Sequence, residues 1–299
     1  MEPQPDVLAS LRRDLADWRQ WAARVIVLAA AVAAGFVVVA FTWLSAEALA
    51  AFETVRHAHE WFPLLWTPAV TALLAWLTVR FFPGASGSGI PQVMAALAPS
   101  VTLAQRGLFV SLRLSLAKAL MTATGLLAGL AIGREGPSVQ IAAGVLQHVE
   151  RWLPRRTHVT HQGLLVAGGA AGIAAAFNAP LAGVMFAIEE LSRKLEQRSS
   201  GLIVTAIVLS GVVGISAFGN AAYFGVLRVP KLGWDYLLPG ALAIVGCGLL
   251  GGFLSRLLVT SAWQDMDEAA RAADPGHGQT FLLEAGARGR AEPDVKLSS

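Results

Sequence analysis

Residues 133–140 place a charged pair, Arg134 and Glu135, inside a part of the chain that is otherwise apolar. Ionisable side chains at membrane depth are energetically expensive, so they are rare there and usually mark an ion pathway. Gly136 and Pro137 follow, and proline suits the first turn of a helix because its missing N–H is not needed there. Glu135 is therefore predicted to lie at a helix N-terminus, where unpaired N–H groups favour anions. The chemistry expected is reversible anion binding, with the Glu135 carboxylate competing for the same site.

The composition indicates a membrane protein. Hydrophobic residues make up 55% of the 299 residues and charged residues only 14%, whereas about a quarter of the residues in soluble domains are charged. Most of the long stretches without Asp, Glu, Lys or Arg reach the roughly 20 residues that span a bilayer. These stretches are residues 25–46, 61–79, 163–188, 199–227 and 236–255. The sequence predicts at least five spans and an all-α, polytopic membrane protein in contact with the lipid bilayer.

Basic residues near these stretches predict the orientation of the chain. Residues 1–24 form a polar leader that contains Arg12, Arg13, Arg19 and Arg24, and the positive-inside rule places this leader in the cytoplasm. The apolar run that follows exceeds the usual length of a signal-peptide core, so the first span is expected to stay as an anchor in the inner or plasma membrane. Because the net charge is only +3 and the basic residues are scattered, no nucleic-acid partner is expected.

Two segments are too rich in glycine and proline to be spanning helices. The first is residues 82–91, where Gly87, Ser88 and Gly89 precede a short apolar piece, and the second contains Glu135. Non-helical backbone at membrane depth is tolerated where it is buried in protein or lines a cavity, and paired interruptions indicate a transport site. We therefore expect both segments to face one site.

Three further patterns bear on helix packing. Glycines recur at four-residue spacing from Gly125 to Gly133, which is typical of a close-packing face between membrane helices. The apolar stretch 163–188 is interrupted near Pro180, so two helices are expected to meet there. Lys118 is explained either by snorkelling towards the interface or by raising the local potential for anions. The sequence leaves these two explanations of Lys118 open.

Three motifs together resemble the CLC family of chloride channels and chloride/proton antiporters. They are Gly87-Ser88-Gly89-Ile90-Pro91, Gly133-Arg134-Glu135-Gly136-Pro137, and the run from Ala175 to Gly183 that leads to Glu189 and Glu190. The membrane unit of that family consists of two inverted repeats. The resemblance implies a partial CLC-type fold with tilted, broken and re-entrant helices, in which residues 25–263 form the first repeat and the opening helix of the second. Residues 264–299 are expected to be a disordered tail.

The resemblance also implies a role for each motif residue. The groups that would bind the anion belong to Gly87, Ser88, Gly89, Arg134 and Gly136. Glu135 would be the gating glutamate, which occupies the outer anion position when deprotonated and yields to chloride when protonated. Glu190 would relay protons, so chloride and protons are the expected transported species. No cofactor and no metal are expected.

The glutamate at position 190 favours chloride/proton exchange over a CLC-type channel. The family closes its anion pathway with two further elements from the second repeat, a Gly-x-Phe-x-Pro loop and a tyrosine near the far end, and this sequence contains neither at a suitable place. A truncated or incomplete product is therefore expected, and a non-transporting fragment stays an alternative beside the exchanger and the channel. A homodimer is a weaker hypothesis, because the family's dimer contact draws on both repeats.

An intramembrane serine protease is a remote alternative. Gly84-Ala85-Ser86-Gly87 matches the Gly-x-Ser-Gly of rhomboid-type proteases, but such an enzyme needs a histidine base within hydrogen-bond reach of its serine. The histidines are residues 57, 59, 148, 158, 161 and 277, and all of them are predicted to fall in links, junctions or the tail. We therefore predict a transport protein that is not an enzyme.

Overall fold

The computed structural model describes residues 18–98, 101–154, 157, 159–191, 200–219 and 237–273, and within these ranges it contains helices and no strand. The helices are α1 Trp18–Ala58, α2 Phe62–Phe81, α3 Ile90–Leu97, α4 Leu112–Leu127, α5 Glu135–Val149, α6 His161–Ala176, α7 Pro180–Phe186, α8 Ser200–Phe218 and α9 Leu237–Ala273. Shorter elements are the turns Pro83–Ala85, Leu103–Arg106 and Glu150–Trp152 and the π-helical segment Ala187–Leu191. The predicted all-α fold is confirmed.

Four of the described helices are long and apolar enough to cross a membrane, namely α1, α2, α8 and the Leu237–Thr260 part of α9. The remaining charge-free stretch, residues 163–188, is divided between α6 and α7. The break comes where Asn178 adopts a left-handed φ of 56° and Pro180 begins a new helix without needing an N–H partner. The predicted break is confirmed, and the count of at least five spans stays a prediction.

The ends of the chain differ from the predicted boundaries. Helix α1 begins at Trp18, so the last part of the predicted leader belongs to the first long helix, and residues 1–17 lie outside the described residues. Helix α9 extends to Ala273, which makes the first part of the predicted tail helical. The alanine-rich composition of residues 265–273 explains this extension, because alanine has the highest helix propensity. Residues 274–299 lie outside the described residues.

The chain divides into two units, one containing α1–α8 and the other containing α9. Helix α6 is the centre of the first unit and buries every residue from Leu164 to Ala176. It packs against α5, α8, α1 and α7, and its sequence is apolar on all sides, as expected for a helix enclosed by others. The motif-bearing helices α5 and α7 are therefore held by one common neighbour.

Glycines allow α5 and α6 to approach closely. A β-carbon added at Gly168 would lie 2.7 Å from the Ala143 Cα atom, and one added at Gly172 would lie 2.5 Å from the Ser138 carbonyl oxygen. Small residues at such positions let helix backbones pack directly in a membrane. The first turn of α5, which carries the charged motif, is positioned by this contact.

The outer helices expose large apolar side chains. Only Val70 of α2 is buried, and the exposed fractions of Leu65 and Val79 reach 82% and 80%. A surface of this kind suits contact with lipid and would be unfavourable in water. The exposed faces therefore agree with the membrane location that the composition predicts.

The predicted glycine face from Gly125 to Gly133 is wrong as a single helix face. Helix α4 ends at Leu127, and Gly129 lies beyond it with a φ of 80°. The Leu130 N–H donates to the Gly125 carbonyl oxygen at 3.0 Å and the Gly129 N–H donates to the Leu126 carbonyl oxygen at 2.9 Å. These two bonds form a Schellman motif, in which glycine supplies the left-handed residue that ends the helix.

The Gly172→Val variant should be strongly destabilised. Its side chain would meet the backbone of α5, which cannot move without displacing the helix, so we expect a loss of at least about 2 kcal/mol in the free energy of unfolding. The matched control is Gly201→Val, because a β-carbon at Gly201 meets no atom within 4 Å. Thermal unfolding followed by circular dichroism in detergent measures both variants, and equal stability of the two would contradict the packing described here.

Candidate functional site

The loop before α3 carries Ser88 and is fastened by a glutamine of that helix. The Gly89 N–H donates to Gln92 Oε1 at 2.9 Å, and Gln92 Nε2 donates to the Ser86 carbonyl oxygen at 2.6 Å. Gly87 and Gly89 have φ values of 71° and 116°, which side-chain-bearing residues rarely adopt. The glycines on both sides of Ser88 are therefore required by the backbone path that leads into α3.

A buried lysine of α4 also holds this loop. Lys118 of α4 is only 4% exposed, and its Nζ atom donates to the Ala85 carbonyl oxygen at 2.7 Å and also to the Gly87 carbonyl oxygen. Snorkelling is excluded by this arrangement, since the ammonium group points into the protein. A positive charge therefore lies against the backbone immediately before Ser88, where it fixes the loop and favours a nearby anion.

The charged motif begins helix α5, as predicted. Glu135 is the first residue of the helix, and Ser138 Oγ donates to the Arg134 carbonyl oxygen at 2.8 Å in the first turn. Arg134 Nη1 donates to the Thr42 carbonyl oxygen of α1 at 3.4 Å. Glu135 is half-buried, and a β-carbon added at Gly133 would lie 2.6 Å from Glu135 Oε2. The carboxylate thus turns back over Gly133, beyond the helix N-terminus.

The two interrupted segments are in direct contact. A β-carbon added at Gly136 would lie 2.5 Å from the Ser88 carbonyl oxygen and would overlap Ser88 Oγ, while one added at Gly89 would lie 2.9 Å from the Gly136 carbonyl carbon. The structure therefore brings Gly87–Gly89 together with Arg134–Gly136, where α3 and α5 both begin. Two helix N-termini that meet in this way present unpaired N–H groups and partial positive charge. This arrangement suits an anion.

Two glutamines that hold the Ser88 loop in place were not identified as site residues from the sequence. Gln140 is 1% exposed, and its Nε2 atom donates to the carbonyl oxygens of Gly84 and Phe109 at 2.8 and 2.7 Å, which ties α5 to the loop that precedes Ser88. The available signal was an amide side chain three residues after Pro137, in a largely apolar run. For Gln92, the signal was a glutamine three residues after the glycine that begins a helix.

The third motif joins α6 and α7 to α8. A β-carbon added at Gly214 would lie 2.9 Å from the Ala175 carbonyl oxygen, and one added at Gly211 would lie 3.0 Å from the Pro180 Cα atom. Asn178 Nδ2 donates to the Gly219 carbonyl oxygen at 2.7 Å. The residues of this motif therefore hold the turn between α6 and α7 in place against the next helix.

Glu190 lies in the π-helical segment that continues α7, and its side chain is exposed. Its neighbour Leu191 is buried. A β-carbon added at Gly169 of α6 would lie 2.8 Å from Leu191 Cδ1 and 3.4 Å from both Val93 Cγ1 of α3 and Val139 Cγ1 of α5. The segment that carries Glu190 thus packs beside the two helices that form the contact around Ser88. The role of Glu190 as a proton relay stays a prediction.

Ser86 does not have the surroundings of a protease nucleophile. Its Oγ atom donates to the Pro83 carbonyl oxygen at 2.8 Å within its own turn, and no hydrogen bond joins it to a histidine in the described ranges, which exclude His158 and His277. The same ranges contain no group of three His, Cys, Asp or Glu residues that could hold a metal ion. The geometry therefore favours anion binding over catalysis by Ser86.

The Lys118→Met variant should lose stability in the Ser88 loop. Methionine has a similar length but no donor, so the two carbonyl oxygens would lose their partners, and each buried unsatisfied group costs about 1–3 kcal/mol. The variant also no longer buries a charge, and this gain offsets part of the cost of the two unpaired carbonyl groups. We therefore expect a net loss of about 1–3 kcal/mol in the free energy of unfolding. Faster hydrogen exchange should be confined to residues 85–89.

Arg113→Met is the matched control for Lys118→Met. Arg113 is an exposed basic residue of the same helix, with its guanidinium carbon 5.5 Å from the centre of the Phe82 ring. Its loss should change the free energy of unfolding by less than about 0.5 kcal/mol. If Lys118→Met is as stable as Arg113→Met and exchanges no faster around Ser88, the buried lysine does not hold the loop.

Comparison with known proteins gives a consistent picture. The family described as voltage gated chloride channel matches residues 70–267. A relative from Klebsiella pneumoniae (strain 342), named H(+)/Cl(-) exchange transporter ClcA, is 34% identical over 252 residues, which cover 77% of this chain and 50% of the relative. The protein of the same name from Citrobacter koseri is 33% identical over 260 residues, which cover 81% of this chain and 52% of the relative.

The fold is also similar to that of a solved structure described as a slow cyanobacterial Cl⁻/H⁺ antiporter. The TM-score is 0.65, the sequence identity is 24%, and the similarity covers 87% of this chain and 61% of the solved one. The partial fold predicted from the three motifs is therefore confirmed. The chain spans about half the length of the curated relatives it matches.

Proposed function

The chain belongs to the voltage-gated chloride channel, or CLC, family, and from that premise we propose that it takes part in chloride/proton exchange across a membrane. The observation that carries this proposal is the contact between the Ser88 loop and Gly136, which joins the N-termini of α3 and α5 at one point. Partial positive charge from two helices, together with the Lys118 ammonium group, favours an anion there. The relatives named as exchangers support chloride and protons as the transported species.

The proposed mechanism uses the Glu135 carboxylate as a tethered competitor of chloride. When deprotonated, this group is attracted to the N-terminus of α5 and occupies the outer anion position, whereas protonation removes its charge and lets chloride enter. Proton uptake by Glu135 and chloride entry are thereby linked. Glu190 is proposed to exchange protons with the opposite side of the membrane, which suits its exposed position. The anion would be held by backbone amides and by the Ser88 hydroxyl group.

The protein is proposed to lie in the inner or plasma membrane, with its N-terminus in the cytoplasm. Ile26, near the start of α1, and Trp152, just after α5, line one cavity, so the basic residues that flank them lie at the same end of the unit. The positive-inside rule assigns that end to the cytoplasm. Cysteine accessibility at the two ends of α1 in sealed vesicles would test the assignment.

A homodimer is part of the same proposal. Helices α7 and α8 expose apolar side chains, including Leu181 at 73%, Met185 at 44% and Val212 at 44%, and such a surface could pack against a second copy as well as against lipid. Light scattering combined with size-exclusion chromatography in detergent would give the oligomeric state directly. A mass that corresponds to one chain would remove this part of the proposal.

The exchange proposal is tested by measuring two quantities on the purified chain. Chloride binding in detergent is measured by titration calorimetry, and chloride and proton fluxes are measured together in liposomes under a chloride gradient. We expect saturable chloride binding and proton movement opposite to chloride movement. Chloride flux without proton flux would support a channel instead, and binding without flux would support a non-transporting fragment. The absence of both would contradict the proposed site.

Glu190→Gln should separate proton movement from chloride movement. Glutamine keeps the shape of the side chain but cannot carry a proton, so we expect proton flux to fall to background while chloride binding is retained. Glu189→Gln is the matched control, since Glu189 is also exposed in the same π-helical segment. Equal effects of the two variants on proton flux would show that position 190 has no special part in the relay.

A further inference from the structure

An apolar groove lies between α1 and α5, near the basic end of the first unit. Its volume is about 500 Å³, and its walls include Ile26, Ala33, Val37, Val145, Val149 and Trp152. Along α1 the groove extends from Ile26 to Val37, which corresponds to about 16 Å of helix. A groove of this length with aliphatic walls can hold an extended hydrocarbon chain.

A polar cavity adjoins this groove at one end. Its volume is about 410 Å³, and it is lined by Ser111, Gln147, Glu150 and Arg151, among other residues. Leu112 and His148 line both the polar cavity and the apolar groove, so the two form one continuous hollow. An amphipathic ligand, with a polar group at one end and a hydrocarbon chain at the other, matches this division.

The charges around the polar cavity favour an anionic group. Glu150 Oε2 is 2.5 Å from His161 Nδ1, while Arg151 Nη2 donates to His148 Nδ1 at 2.8 Å. Among residues with a described position, no carboxylate oxygen lies within 4.0 Å of the Arg151 guanidinium group. Helix α4 begins at Leu112 and adds partial positive charge at the cavity. Among the described residues that line the cavity, Arg151 is therefore the available cation.

We propose that this hollow binds one anionic phospholipid, with an acyl chain in the groove and the phosphate group beside Arg151. Trp152 lines the groove, is 61% exposed and packs edge to face against His148, which lines both parts, and tryptophan is enriched at the depth of lipid head groups. The phosphate would accept hydrogen bonds from Arg151, which binds phosphate well because its N–H groups form a planar fork. This inference is independent of the proposed exchange activity.

The test uses the full chain, purified in detergent and titrated with an equimolar mixture of phosphatidylglycerol and phosphatidylcholine that carry the same acyl chains. Native mass spectrometry counts the lipids retained. We expect one phosphatidylglycerol to be retained in preference to phosphatidylcholine. In Arg151→Gln this preference should fall about fivefold, because one basic residue is lost beside the anionic head group. In Ala33→Phe the groove is filled, so the retained amounts of both lipids should fall.

Two substitutions elsewhere on α1 serve as matched controls. Arg56→Gln removes an exposed arginine that is paired with Glu53, and Ala50→Phe adds a ring at an exposed position outside the groove. Both should retain phosphatidylglycerol as the parent chain does. An unchanged lipid preference in Arg151→Gln would overturn the proposal. Unchanged lipid retention in Ala33→Phe would overturn it as well, and new trypsin cleavage after Arg12 and Arg13 in that variant would indicate the N-terminal segment as the occupant instead.

Discussion

The Glu135→Gln variant is expected to bind chloride more tightly than the parent chain and to lose proton-coupled exchange. The parent carboxylate turns back over Gly133 at the N-terminus of α5, where a negative charge is stabilised by about 1–2 kcal/mol. Glutamine has the same shape but no charge, so it competes less well for the anion position. We expect chloride affinity to rise about tenfold, which corresponds to about 1.4 kcal/mol.

The proton flux of Glu135→Gln should fall to background, because an amide cannot take up and release the proton that accompanies each exchange step. Glu47→Gln is a suitable control, since Glu47 is an exposed carboxylate of α1 outside the contact around Ser88. Calorimetry and paired flux measurements give both results. Unchanged chloride affinity together with unchanged proton coupling would show that Glu135 neither competes with chloride nor carries the proton.

Much of the fold could be predicted because the decisive signals are local. Gly136 and Pro137 predict a helix that begins near Glu135, and the structure begins α5 at that residue. Pro180 predicts a second helix start, and α7 begins there. Glycine widens and proline restricts the backbone conformations that a single residue can adopt. Their effects can therefore be deduced without knowledge of the tertiary structure.

Other features could not be predicted because they depend on distant parts of the chain. Lys118 donates to carbonyl groups 31 and 33 residues away, and Gln140 donates to carbonyl groups 31 and 56 residues away. The sequence shows only that each side chain is polar within an apolar run. Whether such a group snorkels or is buried depends on which loop lies against it, and only the packed structure decides that.

The glycine pattern shows how a local signal can also mislead. Spacing of four residues from Gly125 to Gly133 is compatible with one helix face, but it is equally compatible with a helix that ends within the pattern. A glycine favours both close packing and a left-handed helix end. Gly129 adopts the left-handed conformation that ends α4. The residues after it are therefore not helical, and they connect α4 to the start of α5 at Glu135.

The Gly136→Ala variant is expected to have the largest effect on the anion site. Its β-carbon would overlap Ser88 Oγ and lie 2.5 Å from the Ser88 carbonyl oxygen. The hydroxyl group could rotate away, but the carbonyl group belongs to a loop held by Gln92 and Lys118, so the two segments would be forced apart. We expect the free energy of unfolding to fall by about 1–3 kcal/mol and chloride affinity to fall at least about tenfold.

Gly133→Ala makes the comparison informative, because its β-carbon would meet only the flexible end of a side chain, with Glu135 Oε2 at 2.6 Å and Glu135 Cδ at 3.9 Å. The carboxylate can shift by side-chain rotation without moving the backbone, so the contact between the Ser88 loop and α5 should persist. We therefore expect Gly133→Ala to keep chloride binding and most of the stability. Calorimetry well below the unfolding temperature separates affinity from stability. If Gly136→Ala binds chloride as well as Gly133→Ala does, the anion does not depend on the contact between these two segments.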